Sequence, residues 1–281
     1  MAKGAVGMSY KNPVPGLPGD VSSGKRKQQG SLSEKGYPMY DNVYFAFIDV
    51  LGFRQTFDEH REDPKKQFAS DYGDVFSYFS TLLQHSRLIE QTQQRRATFP
   101  RAGQTSDSLY FYTDRPDHLA EFIKIYLHFS LYAMSQKVFF RGGIAKGSLF
   151  INQPHQFYGD CVIKAYLLES KIAKYPQIAL DKDTYEALKD VPELSGALRE
   201  EKNLGRYYLE PFFRITKKEL TAITDLDSME IRRAEKKAIL KHIEDGKKRF
   251  EFDERNYPKY QFLDQKIAEL KKQKKFDAIF E

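Results

Sequence analysis

With 281 residues and 41% hydrophobic content the chain is long enough to bury a sizeable core, and it holds no apolar run of roughly 18 residues that would cross a bilayer as a helix. A single cysteine, Cys161, excludes an internal disulfide and a cysteine-rich zinc site; with no apolar h-region in "MAKGAVGMSYKNPVPGLPGD", no secretory signal is expected and a cytoplasmic location is the default expectation. The net charge of +6 sits at the ends, six Lys/Arg against two Asp/Glu in 1–38, 22 against 23 in 39–215 and 17 against 14 in 216–281, so the near-neutral middle is not expected to read a phosphate backbone.

Seven glycines and four prolines among the first 38 residues, with no hydrophobic periodicity, read as a flexible N-terminal arm. Its "KRK" at 25–27 is a solvated charge cluster or a contact for an anionic partner. From Tyr40 the pattern changes, and residues 39–215 read as one folded domain. "NVYFAFIDVL" is a β-branched and aromatic run of strand length followed by Gly52, the pattern of a strand buried on both faces. A helical stripe follows over about 66–90, through Phe68, Tyr72, Val75, Phe76, Phe79, Leu82 and Leu83. Strands near 97–103 and 108–113, separated by "QTSD", predict a β-hairpin with polar residues at its tip. Asp117 is the expected N-cap of the next helix. In "VFFRGGIAKGSLFI" two glycines interrupt a strand, which signals a bulge or the close approach of something else to the backbone.

"QFYGD" then leads into a helix over 161–174 that ends before Pro176, and "PQIALD" is a further strand. The order is strand, helix, strand, strand, helix, strand, with a helix and strand appended. It implies an α+β fold, a ferredoxin-like βαββαβ sheet that is mainly antiparallel with helices on one face. Residues 216–281 read as charged helices, with a narrow apolar stripe through Ser228, Ile231, Ala234, Ala238 and Ile239 that packs on the body or on a partner chain.

Two carboxylates stand out. Asp49 is set in the apolar run "FAFIDVLGF", where an unpaired charge is costly, and Asp107 lies at the hairpin tip in "QTSDSLYFY". If the first strand lies beside the hairpin, the two meet at one edge, and their repulsion would be relieved by a hard divalent cation, Mg²⁺ or Mn²⁺, that takes its other ligands from water and substrate phosphates. The alternative is that Asp49 closes its strand and Asp107 is a turn residue.

"FAFIDVLGF", "SDSLYFY", "FRGGIAKGSLF" and "FYGDCVIKAYLLESKIAKYPQIALDKDTYEAL" follow the order and about the separations of segments in class III nucleotidyl cyclase catalytic domains. Over roughly residues 42–190 the chain resembles that family, and "FIDVLGF", "RGGIAKG" and "LESKIAKYPQIALD" look closest to the bacterial pyrimidine cyclases of the Pycsar antiphage systems. The resemblance implies two metals, Mn²⁺ or Mg²⁺, on Asp49, Asp107 and the Val50 carbonyl, and a homodimer with active sites at its interface. It implies a pyrimidine cyclase, converting UTP or less readily CTP to a 3′,5′-cyclic nucleotide for a separate effector, with no role for nucleic acid or membrane. Phe53 and Arg54 would receive the triphosphate.

The pattern breaks on the helix after "YGD", where the family's Asn and Arg fall on Ile163 and Leu167, neither of which can donate a hydrogen bond. Lys164 is the candidate substitute cation; Arg141 is a second, or else holds a structural ion pair. A family Lys falls on Gly103, and the base-reading acid falls on Gln156, whose donor and acceptor suit uracil; Tyr158 and Phe157 could flank a base. A catalytically degenerate cyclase domain that senses nucleotide, and a nucleic-acid-binding or nuclease protein using the basic tail, are the competing readings.

Overall fold

A computed structural model describes residues 38–62, 69–86, 88, 99–153, 156–224 and 233–280. The expected N-terminal arm short of Pro38, its "KRK", and Ser228 and Ile231 of the expected stripe lie outside the described residues.

The first strand, β1 (Met39–Val50), carries its buried side chains on both faces, as its unbroken apolar run predicts. It is followed by α1 (Phe53–Glu62) and α2 (Ala69–Gln84), then by the hairpin β2 (Arg101–Thr105) and β3 (Ser108–Thr113). After α3 (Pro116–Ser135) come β4 (Phe140–Gln153), the short β5 (Gln156–Tyr158) and α4 (Asp160–Leu167), which runs into a π-helical turn, Leu168–Ile172. The remaining elements are β6 (Ile178–Leu180), α5 (Lys182–Leu188), β7 (Leu198–Glu201), β8 (Arg206–Leu209), α6 (Lys217–Ile223), α7 (Arg233–Arg249) and α8 (Tyr257–Lys272).

The sheet runs β2-β3-β1-β4-β6-β8-β7, with β5 paired to β4. Its first four strands are antiparallel at every join, which is the expected ferredoxin-like order, and β6 joins β4 in parallel. On one face Tyr44, Ala46, Ile48 and Val50 pack with Phe79 and Leu82 of α2 and Phe122, Ile123 and Phe129 of α3. On the other, Val43 and Phe45 pack with Tyr110, Tyr112, Cys161 and Ala165, so α4 covers part of the face opposite the two long helices.

The adjacent glycines of β4, Gly142 and Gly143, produce no bulge: the register of β1 and β4 is unbroken from Val43↔Gly147 to Val50↔Phe140, and the irregularity falls instead between Tyr40 and Val43. They mark close approach. A Cβ on Gly143 would collide with the Ala165 carbonyl of α4, and one on Gly142 would lie 2.6 Å from the Phe47 carbonyl oxygen. The helix expected over 66–90 ends at Gln84, and α1 occupies a stretch for which the sequence predicts no element. Asp117 does not cap α3. Arg115 holds the N-cap position in extended backbone because Pro116 follows it, and Asp117, one residue inside the helix, pairs with the Arg115 guanidinium.

Residues 217–280 are not a separate solvated appendage. Ile239 and Ile243 of α7 and Leu263 and Ile267 of α8 share a core with Leu131 and Met134 of α3, Phe139 and Phe212.

Candidate active site at the end of the first strand

Asp49 is the second-last residue of β1, paired across the sheet with Ser108 on one side and Arg141 on the other. The hairpin tip is only two residues, Ser106 and Asp107, because β2 extends to Thr105. The Val50 amide donates to the Asp107 carbonyl at 3.1 Å, which ties the tip to the end of β1. The two acids expected to converge do converge: burial raises the Asp49 pKa above the ordinary carboxylate value, and the charge of Asp107 raises it further. A Ser108 hydroxyl donating to Asp49 Oδ1 at 3.0 Å and the Arg141 guanidinium 3.9 Å from Oδ2 oppose that rise.

Arg141 also meets Glu169 of the π-helical turn at 2.6 Å. That contact is one of charge more than of hydrogen bonding, since neither Arg141 Nε nor Glu169 Oε1 has a partner of hydrogen-bond geometry. Glu169 is almost wholly buried and its pKa is raised by desolvation, a cost that Arg141 partly offsets. Arg141 therefore holds a structural ion pair beside the Asp49 of its own chain.

Asp49, Asp107 and Arg141 line an open cleft of about 810 Å³. Val50, Phe53 and Arg54 line it with the two acids, and Gly52 turns the chain from β1 into α1 at φ +88°, a conformation that glycine adopts without strain. The amino end of α1 thus opens beside Asp49. Arg54 is exposed and lies 4.0 Å from Asp58. The cleft is also lined by Lys174 and by Asp253, Arg255, Asn256 and Lys259 from the loop and helix of 250–259, none of which sequence reasoning singled out. No local signal marks them: Asp253, Arg255 and Lys259 are charges among many in a charged tail, Asn256 is a polar residue between them, and Lys174 is a lysine at a helix end.

Among the described residues no cluster of three or more His, Cys, Asp or Glu side chains is placed to hold a metal. The donor set is two carboxylates with main-chain oxygens nearby. That set fits a hard cation sharing its coordination with substrate phosphates, and such a cation would offset both the burial of Asp49 and, after it, the repulsion from Asp107 that raise its pKa.

The remaining candidates lie elsewhere. Lys164 Nζ is held by Asp160 Oδ2 at 2.8 Å and donates to the Lys146 carbonyl at 3.2 Å, outside the cleft. Gln156 accepts from Asn152 Nδ2 at 3.0 Å on β5. Tyr158 pairs with Phe150, nine positions along β4 from Arg141, and at ~3.3 Å per residue that is roughly 30 Å from the Asp49 end. Ile163 and Leu167 are exposed on α4. Phe157 packs against Phe45, Tyr110 and Tyr112, so its ring is in the core. The Tyr110 phenol lies where a side chain at Gly103 would begin, which explains why no lysine stands there.

No protein-family model matches the chain, and no curated protein does. Solved structures resemble it. The monomeric guanylyl cyclase domain of the RhoGC fusion protein from the aquatic fungus Blastocladiella emersonii is 15% identical, with a TM-score of 0.40, over 61% of this chain and 95% of that one. The guanylate cyclase domain of RhGC from Catenaria anguillulae, in complex with GTP, is 15% identical with a TM-score of 0.38, over 61% of this chain and 97% of that one. The guanylyl cyclase Cya2 is 15% identical with a TM-score of 0.39, over 62% and 91%.

Proposed function

We propose that the chain is a metal-dependent nucleotide cyclase acting on UTP ahead of CTP, whose cyclic product is a messenger of the Pycsar antiphage kind. The observation that carries this reading is the meeting of Asp49 and Asp107, 58 residues apart in the chain, at one end of a ferredoxin-like sheet and in the lining of an open cleft. In the reaction the substrate's 3′-hydroxyl gives up its proton and its oxygen bonds the α-phosphorus, while the bond from that phosphorus to the bridging oxygen breaks and pyrophosphate leaves. Asp49, Asp107 and the Val50 carbonyl would hold Mn²⁺ or Mg²⁺, which when bound lowers the hydroxyl pKa and neutralises phosphate charge. Phe53 and Arg54, at the start of α1, would receive phosphate oxygens on main-chain amides and a guanidinium.

A base pocket containing Gln156 and Tyr158 must belong to a second copy, because in one chain these residues lie at the far end of β4 from Asp49. Ile163, Tyr166 and Leu167, spaced to share one helical face and all exposed, offer α4 as the surface that such a copy would cover. In that homodimer Lys164 would serve the partner's substrate as the cation replacing the family Arg.

The second reading is a degenerate cyclase domain that binds nucleotide without turnover. It is favoured by the apolar Ile163 and Leu167 and by the pairing of Lys164 with Asp160. Incubation of the protein with Mn²⁺ and the four nucleoside triphosphates, read by mass spectrometry, separates the two. Cyclic UMP and pyrophosphate are expected, with a loss on the order of a hundredfold or more in Asp49→Ala and Asp107→Ala. Bound but unconverted triphosphate would decide for the second reading.

A further inference from the structure

We propose that Arg255 and Lys259 grip the polyphosphate of the substrate, so that the C-terminal helical pair forms part of the catalytic cleft. The inference rests on the nucleotide reading of Asp49 and Asp107, and the two residues that it assigns, Arg255 and Lys259, lie outside the segments that resemble the cyclases.

The cleft has two chemically different sides. Asp49, Asp58, Glu62 and Asp107 come from β1, α1 and the hairpin, with Arg54 and Arg141 among them, whereas Lys174, Arg255 and Lys259 come from the segment after the π-helical turn, the α7–α8 connection and the first turn of α8. Among the described residues neither Lys174 nor Arg255 is in an ion pair. Asp253, the acid on the basic side, is committed within its own turn: its oxygens accept from the Arg255 and Asn256 amides at 2.9 and 3.0 Å and from Asn256 Nδ2 at 2.6 Å. Asn256, itself buried, in turn accepts from Lys259 Nζ at 2.8 Å, so the lysine is held in place by a hydrogen-bonded chain.

That placement opposes local stability. Asn256 is the N-cap of α8 and Lys259 stands in its first turn, where the helix dipole disfavours a cation. The pKa of Lys259 is lowered, first by burial and then by the charges of Arg255 and Arg141. Exposed Lys174 and Arg255, half-buried Lys259 and the amino end of a helix, all lining one cleft, call for an anion. A bare anion would meet the acids across the cleft, and a bare cation would meet the bases. A metal–polyphosphate complex satisfies both sides, its metal at Asp49 and Asp107 and its phosphates at Lys259 and Arg255.

The test measures binding of Mg²⁺–tripolyphosphate, which has no base or sugar, to the full chain by calorimetry. The native protein should bind it, Arg255→Ala and Lys259→Gln should each weaken binding on the order of tenfold, and Lys259→Arg should restore it. Because Lys259 opposes the helix dipole, Lys259→Gln should not lower the thermal midpoint, and Arg255 is exposed, so lost binding would not report lost folding. Equal binding by native protein and the Arg255→Ala, Lys259→Gln double variant, or no binding by the native protein, would overturn the inference. Failure of the cyclase reading shows differently, as native protein that yields no cyclic product from any triphosphate.

Discussion

At the residue scale the informative feature is a carboxylate held where it is uncomfortable. Asp49 is desolvated and lies near Asp107, with Arg141 as a distant counter-charge at 3.9 Å. A carboxyl whose folded-state pKa is raised binds its proton more tightly folded than unfolded, so its contribution favours folding in acid and is lost as pH rises through the raised value. Asp49→Asn keeps Oδ1 to accept from Ser108 and cannot ionise. Its thermal midpoint should match that of the native protein at about pH 3 and exceed it at about pH 7, while turnover is lost. An Asn variant less stable than native at neutral pH would mean that Arg141 more than repays the ionised carboxylate. This is the expected signature of a group kept for chemistry at a cost to stability.

The decisive feature at the element scale is the seating of α4 and the π-helical turn on β4. Gly143 lets the Ala165 carbonyl come against the strand, and Cys161 and Ala165 fill the space above β1. The contact is with backbone, so no rotamer change can absorb an added methyl group. Gly143→Ala should cost about 1–3 kcal/mol, read as a lower denaturant midpoint with an unchanged slope, and should disturb Glu169 and its Arg141 contact through the shifted turn. A Gly143→Ala protein of native stability would show that α4 is free to lift. The same elements explain the uneven legibility of the site. Asp49 was readable because an acid in a buried strand breaks the local pattern, whereas Asp107 is an ordinary turn residue by pattern and stood out through the segments that resemble the cyclases. Glu169 sits in an ordinary helical stretch, and only its burial against β4 marks it.

At the scale of the whole molecule, the site assembles from segments that the chain keeps far apart. The Asp49 end of the sheet is closed by the 250–259 segment, which is held in place by the core that α7 and α8 share with Leu131, Met134 and Phe139. The Gln156 end is left open beside the exposed apolar face of α4. If a second copy covers that face, Ile163→Asp with Leu167→Asp should halve the mass seen by light scattering and abolish turnover while leaving the circular dichroism unchanged. A fully active monomer would sink the shared-site reading.

The sequence by itself determined the α+β class, the ferredoxin-like strand order and the burial of β1 on both faces, which follow from local periodicity and the order of the elements. It put Asp49 near a strand end and Asp107 at a hairpin tip, and their meeting required β1 to lie beside that hairpin, which the sheet supplies. Only the tertiary structure decided that Arg141 stands with its own chain's Asp49, that Lys164 pairs with Asp160 at the surface, that Gln156 and Tyr158 sit at the opposite end of β4, and that the charged tail supplies Arg255 and Lys259 to the cleft. Those outcomes depend on which distant surfaces bury apolar area against one another, and spacing along a chain carries no record of that.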